Sequence, residues 1–232
     1  FSKVSTRLGS SMTSVGEVMA IGRTFEEAMQ KACRMISGGV CEGLEGDVAD
    51  SADVRSLLSI PTDKRLFAVQ YALEHGFSVE EVHNLSRIDR WFLYRLKIIA
   101  DMKAECTMLG SLARLSNSAL RFLKVSGFSD RQIARYTNSS EMVVRRRRLQ
   151  QGITPFTKQI DTLAAEFPAQ TNYLYMTYNA SEHDATALAE TRLPIAEAKE
   201  DTGGVLVLGC GAYCIGSSVS KYPAFTYLFL VL

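Results

Sequence analysis

The sequence lacks an excess of charge of either sign. Its 26 basic and 25 acidic side chains leave a formal net charge of +1 over 232 residues. Such a chain has no overall field that would draw it to nucleic acid or to an anionic membrane surface. With 47% hydrophobic residues it can bury a core, as one large domain or two smaller ones. The composition predicts an ordinary globular protein.

Histidine and paired cysteine are scarce. The chain has three histidines and five cysteines, and the closest cysteine pair is the C-x3-C of Cys210 and Cys214. A structural zinc site needs a second ligand pair, so we expect no metal site. The cysteine number is odd and no secretory signal precedes the cysteines, which favours reduced thiols in an intracellular compartment.

Long hydrophobic runs are missing as well. The apolar stretch at residues 222–232 contains Pro223 and is far shorter than the ~20 residues that a membrane-spanning helix needs. It is typical of an aggregation-prone segment rather than of an anchor, so we expect no membrane contact. The first residue is Phe1 rather than methionine, which suggests a fragment of a longer protein.

What the sequence does contain is a series of helical patterns, the longest at residues 88–109. Ile88, Phe92, Leu96 and Ile99 recur at i, i+4, i+8 and i+11, which places them on one apolar stripe of a helix. Large aromatic side chains contribute most when they are buried. We therefore expect Trp91 and Phe92 to pack in the core.

Helix start signals lie on both sides of this segment. Thr24 and Glu27 form a capping box before a helix over residues 25–36, in which Phe25 and Met29 are expected to face inward. Ser78 and Glu81 form a second box. Further helices are predicted to start at Ser116, at Ser129 (or Asp130) and at Ser140 (or Ser139).

A weak internal repeat relates two helix pairs. Residues 76–78 and 127–129 both read GFS, and each copy precedes a helix, a turn and another helix. Read alone, the second pair resembles a DNA-binding helix-turn-helix whose recognition helix carries Arg145, Arg146, Arg147 and Arg148. Four consecutive side chains span about 300° of a helix and cannot all face one groove. This geometry argues against DNA binding, and a stand-alone DNA-binding protein is the alternative hypothesis rather than the main one.

Shorter segments complete the chain. Residues 17–21 favour a strand, residues 41–53 are acidic and predict a solvated boundary, and residues 172–178 favour a strand or an extended segment. The apolar run at 205–208 predicts a strand buried on both faces. The glycine-rich turn at 209–218 resembles a phosphate loop only weakly, because its third glycine is displaced and no βαβ unit follows.

Several of these stretches, taken together, resemble a known family. MTSVGEVMAIGRT at 12–24, IDRWFL at 88–93, and residues 158–166, 172–178 and 205–218 occur in this order in the middle of the large subunit (or domain) of carbamoyl phosphate synthase. The likeness covers about residues 5–218. The chain resembles the central part of that large chain, with its oligomerisation domain.

The resemblance implies a mainly α fold, in which a helical oligomerisation domain is flanked by short α/β remnants of two ATP-grasp synthetase halves. Residues 1–38 would end the first, carboxyphosphate half, and residues 204–219 would begin the second. An all-helical domain would occupy residues 61–180, with linkers at 39–60 and 181–203 and a divergent tail at 220–232.

The resemblance also implies an activity for the parent enzyme. In that family the first half makes carboxyphosphate and carbamate from bicarbonate, ATP and ammonia, and the second half phosphorylates carbamate, for pyrimidine or arginine synthesis. ATP and Mg or Mn would serve the parent, with a glutamine amidotransferase subunit or domain as partner. Self-association, packing on the synthetase halves and a cytoplasmic rather than a mitochondrial location are implied for this chain.

No catalytic, cofactor-binding or metal-binding residue of the family can be matched to this chain, but two tunnel residues can. Met12 and Glu17 match the family's Met and Glu that line the carbamate tunnel, where a carboxylate can orient a polar intermediate. For Glu17 two interpretations carry equal weight, a tunnel-lining carboxylate and an ordinary exposed residue of a strand. The chain departs from the family at Thr13 (usually Lys), at Ala212 (usually Pro) and after Val219. We expect no synthetase activity from this polypeptide alone.

Overall fold

The computed structural model of the protein describes residues 5–12, 17–36, 42–46, 48, 53–169 and 173–184. Over these residues the chain has eight α-helices, a 3-10 turn at Leu112–Arg114 and a two-stranded sheet. The predicted mainly α class is confirmed. The elements are α1 Phe25–Ile36, α2 Val54–Ser59, α3 Arg65–Glu74, α4 Val79–Ser86, α5 Arg90–Leu109, α6 Asn117–Val125, α7 Asp130–Tyr136, α8 Glu141–Gln150, β1 Phe156–Gln159 and β2 Leu174–Thr177.

Serine caps start four of these helices, as the sequence predicts. The Ser78 hydroxyl accepts the N–H of Glu81 at 3.2 Å, and the Glu81 carboxylate accepts the N–H of Ser78 at 2.9 Å. Ser129 and Gln132 form the same reciprocal pair at the start of α7, at 3.0 and 2.8 Å. Each pair satisfies N–H groups that a helix end would otherwise leave free. Ser116 and Ser140 cap α6 and α8.

The predicted repeat is confirmed. Gly76 and Gly127 both adopt positive φ, 88° and 90°, which glycine tolerates best. The N–H of the next residue then reaches the carbonyl five residues earlier, at 3.0 Å for Phe77 and 3.1 Å for Phe128, as in a Schellman motif. The helix before each turn also contacts the later helix of its pair, α3 with α5 and α6 with α8.

The long helix α5 buries the predicted face only in part. Leu96 and Ile99 are buried as expected, together with Leu93 and Ala100 on the same side. Trp91 and Phe92, expected in the core, remain 50% and 45% exposed. Both rings lie beside Phe25 of α1, at 5.7 and 5.6 Å between centroids, which covers them only in part.

The first helix departs from its prediction at the cap and at the buried face. Thr24 accepts the N–H of Glu27 at 3.2 Å, but the Glu27 carboxylate accepts the N–H of Arg23, at 2.9 Å, instead of closing the box on Thr24. Phe25 and Met29 are only partly buried. The fully buried residues of α1 are Glu26, Glu27, Gln30 and Cys33.

Three predictions for the flanking segments need correction. Residues 17–21 form no strand, since no described neighbour pairs with them. The expected linker at 39–60 contains α2, which Asp53 caps. Residues 61–180 are not all helical, because β1 and β2 pair antiparallel with Phe156 opposite Thr177; the strand predicted at 172–178 is thereby confirmed. The strand predicted at 205–208, the glycine-rich turn and the tail lie outside the described residues.

Candidate functional site: the basic helix and its ion cluster

The four arginines of α8 do not form a free basic face. Arg145 donates to Asp130 at 3.3 Å and to Glu141 at 2.6 Å. Arg148 donates to both carboxylate oxygens of Asp130, at 3.0 and 2.9 Å. The guanidinium of Arg147 is turned to the backbone carbonyls of Leu112 and Leu115. Arg146 alone of the four is classed as exposed. Three of the four arginines of this helix therefore bind groups inside the domain.

Asp130 is the centre of a buried ion cluster. The Lys124 ammonium lies 2.8 Å from its carboxylate and donates to the carbonyl of Phe128 at 2.7 Å, and both charged side chains are 5% exposed. Burial lowers the pKa of Lys124 to about 8, against the opposing effect of Asp130. Burial would raise the pKa of Asp130, but Lys124 and Arg148 outweigh it and hold that pKa below its usual range. Loss of either partner would leave a buried charge uncompensated.

An aromatic ring from the hairpin covers this cluster. The Tyr178 ring centroid lies 4.9 Å from the Lys124 ammonium and 5.7 Å from the Arg148 guanidinium. A cation over an aromatic face is attracted to it, more strongly where water is excluded. The ring therefore joins the end of the hairpin to α6 and α8.

The acidic segment predicted to be solvated is paired with α7 instead. Glu42 accepts hydrogen bonds from Ser129 at 3.0 Å and from Arg131 at 2.9 Å. Glu45 accepts from Arg135 at 2.5 Å and also from the Tyr136 hydroxyl. Both carboxylates are 13% exposed. Burial raises the pKa of Glu45, although Arg135 and Lys103 act in the opposite direction.

Polar side chains also hold α1 against the second helical unit. The Gln30 amide donates to the carbonyl of Ser126 at 2.8 Å and accepts from Gln132 at 3.1 Å. Arg34 donates to the carbonyl of Gly127 at 2.8 Å. Gln30 and Gln132 are at most 1% exposed, and buried amides need such partners. This explains why α1 buries its polar side, which periodicity alone cannot reveal.

The two predicted tunnel residues lie on the amino-terminal segment. Met12 is 94% exposed and Glu17 is also exposed. The residues between them, 13–16, lie outside the described part of the chain. The structure leaves their tunnel role a prediction.

The described residues offer an open cleft but no cluster of metal-binding side chains. They contain no group of three or more histidine, cysteine or acidic side chains suited to a metal ion, and none of their helices is long and apolar enough to cross a membrane. An open cleft of about 450 Å³ lies beside the β1–β2 loop. Two of its acidic residues already accept hydrogen bonds, Asp161 from the N–H of Leu163 and Asp184 from Lys158.

The helical part of the chain matches a known family. The sequence profile of the carbamoyl-phosphate synthetase large chain, oligomerisation domain, matches residues 17–152. This match covers more than half of the chain and includes every helix from α1 to α8. The chain belongs to this family.

The relatives of this carbamoyl-phosphate synthetase domain are much longer proteins. The chain is 48% identical over 219 residues to multifunctional protein pyrABCN of Emericella nidulans and 49% over 220 residues to multifunctional protein URA2 of Saccharomyces cerevisiae. It is 50% identical over 220 residues to the mitochondrial arginine-specific carbamoyl phosphate synthase large chain of Neurospora crassa. Each match covers 94% of this chain but only 9, 9 and 18% of the respective relative.

The helix-turn-helix alternative is not supported. The relatives found are carbamoyl phosphate synthase chains and multifunctional proteins. In the structure, Arg145, Arg147 and Arg148 bind groups of the chain itself. A phosphate backbone would have to compete with buried internal partners for these side chains.

Proposed function

We propose that this chain is the assembly and scaffold module of a carbamoyl phosphate synthase large chain, and that it self-associates. The observation that carries the proposal is the match of the oligomerisation-domain profile to residues 17–152, which is the helical part of the fold. The inward pairing of charged residues supports a structural role, because it leaves them committed to the domain.

The parent enzyme would make carbamoyl phosphate from bicarbonate, ATP and ammonia or glutamine. The similarity to carbamoyl phosphate synthase chains supports this proposal. Within it, residues 1–38 and 204–219 belong to the two ATP-grasp halves, on which the helical domain packs. ATP, Mg or Mn and a glutamine amidotransferase act in the parent, and this chain alone is inactive because it spans only 9–18% of those relatives.

Two measurements test the proposal. Sedimentation velocity of the purified chain should show concentration-dependent association, whereas a monomer at every concentration would refute self-association. An assay of ATP turnover in the presence of bicarbonate and ammonia should give no signal above a protein-free control. Turnover dependent on both substrates would refute the proposed inactivity.

The tunnel role of Met12 and Glu17 belongs to the same proposal. In a full-length relative, replacing the residue that corresponds to Glu17 by Gln should lower carbamoyl phosphate formation more than it lowers bicarbonate-dependent ATP hydrolysis. Equal loss of both rates would show that the residue does not act on transfer of the intermediate.

The location in the cell also stays a prediction. A cytoplasmic location is proposed over a mitochondrial one. The relative with a mitochondrial name is as similar to this chain, at 50% identity, as the multifunctional proteins are. Microscopy of the tagged chain decides between the two.

A further inference from the structure

The outward side of α5 carries a regular stripe of residues. They follow one another at intervals of three and four, which is the spacing of a seam along which two helices pack side by side. Trp91, Tyr94 and Met108 are 50, 55 and 79% exposed. We call this stripe the α5 seam; it consists of Trp91, Tyr94, Asp101, Glu105 and Met108, with Ile98, which is partly buried against the core, between Tyr94 and Asp101.

Charge is divided along this helix. Its amino-terminal half presents Arg90, Arg95 and Lys97, whose side chains are 48, 42 and 36% exposed. Its carboxyl-terminal half presents Asp101, 61% exposed, and the exposed Glu105, while Lys103 in that half is 28% exposed and paired with Glu74 of α3. The three cations already meet Glu80, Glu26 and Asp101 within the chain. Two of these pairs, Arg90–Glu80 and Lys97–Asp101, are solvent-exposed on both sides, and such pairs contribute little and can be shared with a partner.

We propose that two copies of this chain associate by antiparallel packing of their α5 seams. The inference rests on the self-association proposed above and names its surface. In an antiparallel pair the basic half of each helix lies beside the acidic half of the other, whereas a parallel pair would bring like charges together. Trp91 of each copy then packs near Met108 of the other, and Tyr94 lies near Glu105 of the other.

The aromatic end of the seam is held in place before association. The Trp91 ring lies 5.7 Å from Phe25 and 5.0 Å from Phe92, centroid to centroid, and the Arg95 guanidinium is 5.2 Å from it. A side chain that is already ordered loses less entropy on binding. Tryptophan, tyrosine and arginine are also the residue types that most often dominate interface energies.

The other exposed apolar helix face fits a second copy less well. On α8, Met142 and Leu149 are 59% and 51% exposed, with the exposed Arg146 between them. An antiparallel pairing of two such faces would bring both copies of Arg146 together at its centre, which like charge opposes. The α5 seam likewise brings its two Asp101 side chains near each other, but there each Asp101 is already paired with Lys97 of its own helix. The α8 face therefore supplies matched control positions.

Sedimentation velocity on the full chain tests the seam. We expect the wild type to form a reversible dimer, and Trp91→Ala and Tyr94→Ala each to raise its Kd about 30-fold. The controls Met142→Ala and Leu149→Ala should leave Kd unchanged. Circular dichroism and the Tm of every variant verify that the fold is retained, as expected for side chains that are about half exposed.

A charge reversal tests the orientation. In the antiparallel pair, Glu105→Lys meets the basic half of the other copy, so its homodimer should weaken at least 10-fold. Mixing it with a chain that carries Lys97→Glu should restore association as a heterodimer. In a parallel pair, Glu105→Lys would leave Kd the same or lower it, and that result would overturn the antiparallel arrangement.

These measurements distinguish self-association of the chain from the position of its interface. A dimer whose Kd is unaffected by Trp91→Ala and Tyr94→Ala would overturn the seam and leave self-association standing. A wild-type chain that remains monomeric would overturn both. A dimer weakened at α8 but not at α5 would move the interface to the control face and refute the seam.

Discussion

At the scale of single residues, burial decides what the charged side chains do. Lys124 and Asp130 are each 5% exposed and lie 2.8 Å apart. Two buried charges of this kind need each other and their further hydrogen bonds, because either one alone would be costly to bury. Arg148 and Tyr178 complete the set. The cluster therefore explains why a basic stretch of sequence is structural.

The burial of Lys124 predicts a pH dependence of stability. Burial lowers its pKa to about 8 in the folded chain, against an ordinary value of 10.5 in an unfolded one. Between these pH values the unfolded chain binds more protons at this site, so raising the pH favours folding. We expect the unfolding free energy of the wild type to rise over this range relative to that of Lys124→Met.

Urea denaturation at a series of pH values measures this difference. The matched control is Lys97→Met, because the Lys97 side chain is 36% exposed. The difference in unfolding free energy between the wild type and this variant should not change with pH. If the unfolding free energy of the wild type relative to that of Lys124→Met falls as the pH rises, the lowered pKa of Lys124 is contradicted.

At the scale of elements, two equivalent turns differ in what packs against them. Gly76 and Gly127 share a backbone conformation, at φ values of 88° and 90°. A Cβ at Gly76 would meet nothing within 4 Å, but a Cβ at Gly127 would lie 2.9 Å from the Cα of Glu27. The second turn is therefore also a place where α1 packs closely against the backbone.

This contrast predicts unequal costs for the same substitution. Gly76→Ala should destabilise the fold by about 1 kcal/mol, which is the cost of a left-handed conformation for a residue with a Cβ. Gly127→Ala carries the same cost and must also displace α1, so we expect a further loss of about 1–3 kcal/mol. Chemical denaturation of both variants measures the two values; equal values would contradict the close approach of α1.

At the scale of the whole molecule, the hairpin is joined to the helices at few points. Thr177 is 1% exposed, Lys31 of α1 donates to the carbonyl of Met176 at 2.7 Å, and Tyr178 lies over Lys124 and Arg148. These contacts connect α1, near the start of the described chain, with the hairpin near its end. Since few contacts hold the hairpin, we expect it to open locally before the domain unfolds.

Tyr178 should control this opening. Replacing it by leucine keeps an apolar side chain but removes the ring above two cations, which is worth about 1–2 kcal/mol where water is partly excluded. We expect hydrogen exchange of the β1 and β2 amides to become about 10-fold faster. The control Tyr173→Leu changes a residue that is 64% exposed and should leave exchange unchanged. Exchange that is equally slow in Tyr178→Leu would show that the hairpin is held elsewhere.

Much of the local structure could be predicted from the sequence. The caps at Ser78 and Ser129, the glycine turns at Gly76 and Gly127 and the extent of α5 all followed from neighbours within a few residues. Such signals work because a cap or a turn satisfies its own nearby N–H and carbonyl groups. The ordered motifs also sufficed to indicate the family.

Which faces are buried and which charges are paired depends on contacts between residues far apart in sequence. Glu42 and Glu45 were predicted to be solvated, yet they bind Arg131 and Arg135, 89 and 90 residues further along the chain. Trp91 was predicted to be buried, yet the packed helices leave half of it exposed. A helical pattern shows that one face must be covered, but the arrangement of the other elements decides which face it is. Ion pairs distant in sequence exist only once the chain has folded back on itself.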